Sequence, residues 1–200
     1  MGGDGRLTVS IIIKGVLVMK QWLAYVIAAF VGAAIVWMLC PEPVQEQRRD
    51  VQTAIAHLYP MGESTVRGVF LFSQDKEGVY VSAHITGLTP NSEHGVHIHQ
   101  FGDISDKKQG KSAGGHYNPE GHPHGLPPSA IRHAGSFGNV RADATGTAVF
   151  NIMDPSISLV GKHPILGRSV VVHARKDTGE QPAGNAGPRI AVGVIGIANQ

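Results

Sequence analysis

VYVSAHI, residues Val79–Ile85, decides the fold class. Val79, Val81, Ala83 and Ile85 fall on one face of an extended chain, and Tyr80, Ser82 and His84 on the other. That two-residue period marks a half-buried β-strand. Upstream, VRGVFLF (Val66–Phe72) reads as another strand, with Gln74-Asp75-Lys76-Glu77-Gly78 as the turn between them. Downstream, Gly95–His99, Thr147–Ile152, Ser169–His173 and Ile190–Ile197 are short apolar runs, each bounded by Gly, Pro, Asn or Asp. Short strands with frequent turns predict an all-β sandwich or barrel. Gly102–Asn139 fits neither a strand nor a helix period. A loop of that length in a compact domain is functional or has to be tied down.

The composition agrees. With 42% hydrophobic and 16% charged residues, the chain of 200 residues is too apolar for disorder and can build a core. Its 26 glycines and 12 prolines suit turns between strands more than a helical bundle. Seventeen Lys and Arg against fifteen Asp and Glu leave a net charge of +2, which excludes a strongly basic nucleic-acid binder. A single cysteine, Cys40, excludes an intramolecular disulfide and any cysteine-rich zinc module.

The first fifty residues belong to a different solvent. Trp22–Cys40 (WLAYVIAAFVGAAIVWMLC) carries no charge. At ~1.5 Å per residue it reaches about 28 Å, the hydrocarbon thickness of a bilayer, with Trp22 and Trp37 near its ends. Arg6, Lys14 and Lys20 precede it, and Glu42 and Glu46 follow. Residues 1–50 are therefore expected to form a tail, a signal-anchor or transmembrane helix over about 21–40, and a polar linker over 41–50. The positive-inside rule places the folded domain, 51–200, outside the cell or in a lumen. Translation from Met19 would instead give a cleavable signal and a secreted domain.

Eleven histidines are present, and seven of them lie in one stretch of forty residues: His94, His97, His99, His116, His122, His124 and His133. His97 and His99, at i and i+2 on a strand, point to one face and can converge on one metal. His173 ends the strand SVVVH and can add a ligand. His116, His124 and His133 sit in the long loop, where spaced ligands can wrap a metal.

Five segments carry a family resemblance. GVHIHQFGD (Gly95–Asp103), GGHYNP (Gly114–Pro119), RHAGSFGNV (Arg132–Val140), GRSVVVH (Gly167–His173) and GNAGPRIAVGVIGIA (Gly184–Ala198) resemble Cu/Zn superoxide dismutases, in the family's order, over about residues 52–199. The resemblance implies an eight-stranded Greek-key β-barrel, an Ig-like sandwich with long metal-binding and electrostatic loops, here preceded by the N-terminal apolar helix. It implies copper on His97, His99, His116 and His173, and zinc on His116, His124 and His133, with His116 bridging. Asp177 matches the aspartate that links a copper histidine to a zinc histidine. Arg189 matches the arginine that attracts the anionic substrate, and His94 matches a structural histidine. His57, His84, His122 and His163 match no ligand. The implied activity is superoxide dismutation by copper redox cycling, with His116 taking up and returning a proton. A homodimer through Gly193–Ala198 and the loop near Phe101–Asp103 is implied as well.

Three departures from the family pattern stand out. Ser136 occupies the position of the fourth zinc ligand, an aspartate, so weaker zinc binding is expected. Gly110 or a neighbour, and Val192, stand where the family has its disulfide. The stretch from His173 to Arg189 is short, and Gln181-Pro182-Ala183 replaces charged and threonine residues, so weaker steering and a more open copper site are expected. The competing function is a non-enzymatic copper-binding or copper-delivering protein of the same fold.

Overall fold

Nine strands run through the described part of the chain: β1 (Thr53–Pro60), β2 (Arg67–Asp75), β3 (Gly78–Thr86), β4 (Glu93–His99), β5 (Ser136–Arg141), β6 (Ala148–Asp154), β7 (Ser169–His173), β8 (Arg189–Val194) and the two-residue β9 (Gly196–Ile197). The computed structural model describes residues 51–199, together with Trp22, Leu23 and Val26, which are helical and exposed. The expected membrane segment over 21–40, Cys40 and the 41–50 linker otherwise lie outside the described residues. Among the described residues no helix is long and apolar enough to cross a membrane. The chain divides into two compact units, Met1–Arg48 and Arg49–Gln200, and the strands belong to the second.

The strands hydrogen-bond antiparallel in the order β5-β4-β7-β8-β1-β2-β3-β6, and β9 pairs with β1. β5 and β6, at the two ends of this order, lie against each other, so the sheet nearly closes into a barrel. Side chains fill that seam. The Phe137 and Phe150 rings lie 6.2 Å apart. Arg132, from the loop before β5, donates to Asp154 at the end of β6 (2.9 Å). The core is built from the inward residues of alternating strands, with Phe70, Phe72, Val81, Ile85, Ile98, Val170 and Val172 fully buried. Deep burial of such side chains is worth roughly 1.5–3 kcal/mol each.

Two strands escape the sequence reading. In β1 (TAIAHLYP) the inward residues are Ala54, Ala56 and Leu58, whose small volume gives little apolar alternation. β5 (SFGNVR) lies at the end of the predicted long loop. Gly138 (φ +80°) and a bulge opposite Val96/His97 break its period.

The barrel presents β4 to the site with both faces covered. Val96 and Ile98 point into the core, and His97 and His99 are equally buried beneath the loops. Two long connections, 100–135 and 174–188, lie over this side; the first carries His116, His124 and His133, and the second carries residues that grip them.

Candidate metal centre

Two histidine clusters meet at His116. His97, His99, His116 and His173 each offer a ring nitrogen within 4.8 Å of the others, and so do His116, His124 and His133. All the histidines predicted as ligands are therefore brought together. His116 is set by strand-like pairing with His99. The amide of Gln100 donates to Gly115 O (2.9 Å) and that of Tyr117 to Ile98 O (2.8 Å), locking the residues on either side.

A neutral imidazole has one N–H and one lone pair. In this site the N–H of four of the six ligands is committed away from the centre. His99 Nδ1 donates to Gly114 O (2.9 Å) and His173 Nδ1 to Gly187 O (2.9 Å). His97 Nε2 donates to Asp177 Oδ2 (2.7 Å), and His124 Nε2 donates to the same carboxylate (2.9 Å). What remains is lone pair facing lone pair. His99 Nε2 and His173 Nε2 are 3.3 Å apart. His97 Nδ1 is buried with no hydrogen-bond partner among the described residues. In the second cluster His133 Nδ1 lies 3.3 Å from His116 Nδ1 and 3.5 Å from His124 Nδ1.

Acceptors packed this closely repel one another unless a cation sits between them. Donors about 2.0–2.1 Å from a tetrahedral ion stand roughly 3.3 Å apart, which is the spacing seen. Fixing the remote N–H to a carbonyl or carboxylate is how metal-binding histidines are oriented. The residues present fit copper in the four-histidine cluster and zinc in the three-histidine cluster.

The electrostatics favour a cation as well. Burial pushes His173 down to about 3, with His97 adding to the effect. Burial also holds His97, His99, His116 and His133 below the ordinary histidine value, so these rings are neutral lone-pair donors at neutral pH. For Asp177, burial works to raise the pKa, but hydrogen bonds from His124 and His97 hold it well below the usual carboxylate range. It is the anion behind both clusters.

Arg189 donates from Nη1 to Gly110 O and from Nη2 to Gly114 O. It lines a cavity of about 570 Å³ with His99, His116, His173 and the 180–187 loop. Ser136, opposite His97 in the β4–β5 register, is fully buried, and its hydroxyl has no hydrogen-bond partner among the described residues. A neutral, unsatisfied hydroxyl thus stands where the resemblance implies an aspartate. His94 is buried and donates from Nδ1 to His173 O (2.8 Å), a structural role. His57 and His84 are exposed on the outside of the sheet. His122 and His163 lie 3.6 and 3.3 Å from Glu120, away from the centre.

The sequence reading misses three positions. Asn139 pairs its carboxamide with the Asp177 main chain, accepting from Asp177 N (2.7 Å) and donating to Asp177 O (2.9 Å). Gln181 pairs with the His124 main chain in the same way. Gly184 has φ +73°, and any Cβ there would collide with Asp177 Oδ1. The only sequence signals are the motif neighbours of Asn139 and Gly184, and Gln181 has none. Gly110 and Val192 do face each other, since a Cβ on Gly110 would lie 3.2 Å from Val192 Cγ2.

Comparison with known proteins agrees with this geometry. The sequence model of the family described as copper/zinc superoxide dismutase matches residues 66–195. The chain is 46% identical over 146 residues to the superoxide dismutase [Cu-Zn] of Humicola lutea, covering 68% of this chain and 94% of the relative. It is 44% identical over 147 residues to that of Saccharomyces cerevisiae, covering 69% and 94%. Among solved structures, the crystal structure of the clock protein EA4 superposes with a TM-score of 0.67 at 42% identity, over 74% of this chain and 95% of that one. Two histidine clusters sharing one ring, on a barrel that matches these relatives along nearly their whole length, place the chain in the copper/zinc superoxide dismutase family.

Proposed function

We propose that the barrel domain converts superoxide to dioxygen and hydrogen peroxide at copper held by His97, His99, His116 and His173, with zinc held by His116, His124 and His133. The observation that carries the reading is the 3.3 Å approach of His99 Nε2 to His173 Nε2, two lone pairs aimed at one point while both Nδ1–H groups are tied to carbonyls. Bound copper supplies the one-electron chemistry, alternating between two oxidation states so that one superoxide is oxidised and a second reduced. Two superoxide ions and two protons give one dioxygen and one hydrogen peroxide.

The chain's own residues do the rest. Arg189 holds a permanent positive charge in the cavity wall, attracting a small anion to the four-histidine cluster. His116 turns Nδ1 to the three-histidine cluster, leaving Nε2 for the other. Serving both clusters would require the ring to give up its N–H; in that form it could take a proton at Nε2, becoming the neutral imidazole that its burial favours, and pass it to the reduced oxygen. Asp177 keeps His97 and His124 in one tautomer, so both clusters keep their shape through the cycle.

Further parts of this reading concern the whole chain. The apolar, uncharged Trp22–Cys40 segment, with Arg6, Lys14 and Lys20 before it, supports a membrane anchor with the domain extracellular or lumenal, secretion after cleavage being the alternative. The exposed Phe101 and Ile197 lie in the two segments through which the family dimerises, which supports a homodimer. Alkaline extraction of membranes, N-terminal sequencing and light scattering test these parts.

The activity itself is tested on the purified full chain by copper content and superoxide consumption, before and after copper loading. About one copper per chain with fast turnover, both lost in His173→Ala, is the expected result. Tight copper binding without turnover would favour copper handling instead.

A further inference from the structure

We propose that Gln181 is a positioning residue for the three-histidine metal, holding His124 through its main chain. This inference rests on the zinc reading above. The amide of His124 donates to Gln181 Oε1 (2.9 Å), and Gln181 Nε2 donates to His124 O (2.8 Å). The carboxamide therefore acts as a strand partner for a single peptide. Any rotation or slide of His124 breaks both bonds together.

His124 needs such a partner. It lies in a segment with no strand or helix, between Pro123, which has no N–H to donate, and Gly125, which has no side chain to restrain the backbone. Its neighbours cannot fix where the ring points. Two residues of the 174–188 connection do so from outside. Asp177 takes the Nε2–H (2.9 Å), and Gln181, four residues on, takes the main chain. The presenting loop is itself closed, by Thr178 N to Gly184 O (2.8 Å) and Gly184 N to Glu180 O (2.6 Å). Asn139 grips the Asp177 peptide with the same carboxamide pairing. Two carboxamide clamps in series thus set the Nδ1 of His124 toward His133 and His116.

From the sequence, Gln181 reads as a replacement for channel-shaping charge in a shortened connection. Its polar atoms are instead spent on His124. Ser136 makes this matter more. With no carboxylate as a fourth ligand, three histidine rings must hold the ion, and their affinity depends on being prearranged.

The test uses the copper-loaded full chain and four proteins: wild type, Gln181→Ala, Gln181→Glu and His133→Ala. Zinc affinity is measured by competition with a chelator, and cobalt(II) is used as a spectroscopic probe of the three-histidine site. Gln181→Ala is expected to bind zinc roughly tenfold more weakly, with a shifted, weaker cobalt(II) visible band. Gln181→Glu keeps the acceptor for His124 N–H but loses the donor, so an intermediate loss is expected. Wild-type zinc affinity and an unchanged cobalt spectrum in Gln181→Ala would overturn the proposal, even if the metal-free protein melted at a lower temperature. Wild type that takes up neither zinc nor cobalt in a way sensitive to His133→Ala would overturn the zinc reading, and the proposal with it.

Discussion

Arg189 and His99 meet on one oxygen. The carbonyl of Gly114 accepts Arg189 Nη2–H and His99 Nδ1–H (2.9 Å). One peptide therefore sets both the tautomer of a proposed copper ligand and the place of the cation proposed to draw substrate to it. The second arm of the guanidinium holds Gly110 O, so the 103–114 stretch is pinned to β8 at two points.

Arg189→Lys keeps the charge but cannot span both carbonyls, because an ammonium lacks the planar fork. We expect kcat/KM for superoxide to fall about tenfold, with its fall in rising salt largely preserved. Arg189→Ile should remove most of the salt dependence as well. Pulse radiolysis at several ionic strengths measures both.

Ser136 gives a test in two directions. Ser136→Ala removes a buried hydroxyl that has no partner, so the metal-free protein should gain about 1 kcal/mol in urea unfolding. Ser136→Asp supplies the missing anion and should tighten zinc at least tenfold in chelator competition, while destabilising the metal-free form. Unchanged zinc affinity in Ser136→Asp would show that the side chain at this position does not face the three-histidine metal.

The histidines set the response of the metal-free protein to acid. An unfolded histidine titrates near 6.5. His173 is pushed down to about 3 by burial, and burial also lowers His97, His99 and His116. Between these values the unfolded chain binds more protons than the folded one. Their stabilisation is fully present above pH 6.5 and is lost as the pH falls toward 3, at about 1.4 kcal/mol per pH unit for each such histidine. Urea midpoints of the metal-free chain at pH 7, 6 and 5 should drop accordingly, and His173→Ala should make the slope shallower.

Gly184 leaves no room for a side chain. With φ +73° and a Cβ that would strike Asp177 Oδ1, Gly184→Ala should cost about 2–4 kcal/mol and disturb the carboxylate behind both clusters. Zinc and copper affinity should fall together, which titration of each metal would show.

Where the family has a disulfide, this chain has an apolar contact. Val192 packs with Met61, Ala113 and Val171, with Ile104 against them, and Gly110 faces Val192. The sole cysteine of the sequence is Cys40, so residues 51–199 contain none. The melting temperature should not move with added thiol reductant. Val192→Ala should lower stability by about 2 kcal/mol and reduce turnover by loosening the stretch that holds Arg189.

Much of the site is legible in the amino-acid sequence. His97 and His99 can be paired because the strand period is two, a purely local rule. His116, His133 and His173 stand inside motifs in the family's order, and His124 and Asp177 are carried over from the same resemblance. β1 and β5 are not legible. Alanines at the inward positions of β1 give a weak apolar signal, and in β5 a glycine and a bulge break the alternation.

By itself the sequence determined the all-β character, the histidine set, the missing aspartate at Ser136 and the absence of a disulfide. The all-β character and the cysteine count depend on residue type and local spacing, while the ligand set and the Ser136 position come with the family resemblance. Only the tertiary structure decided how the ligands are held. Asn139 grips a peptide 38 residues away, and Gln181 grips one 57 residues away. Gly184 is required by a carboxylate above it, and Gly114 serves Arg189 and His99 at once. A carboxamide–peptide pair carries no spacing rule, because its partners are brought together by the closing of the barrel and the path of its two long connections.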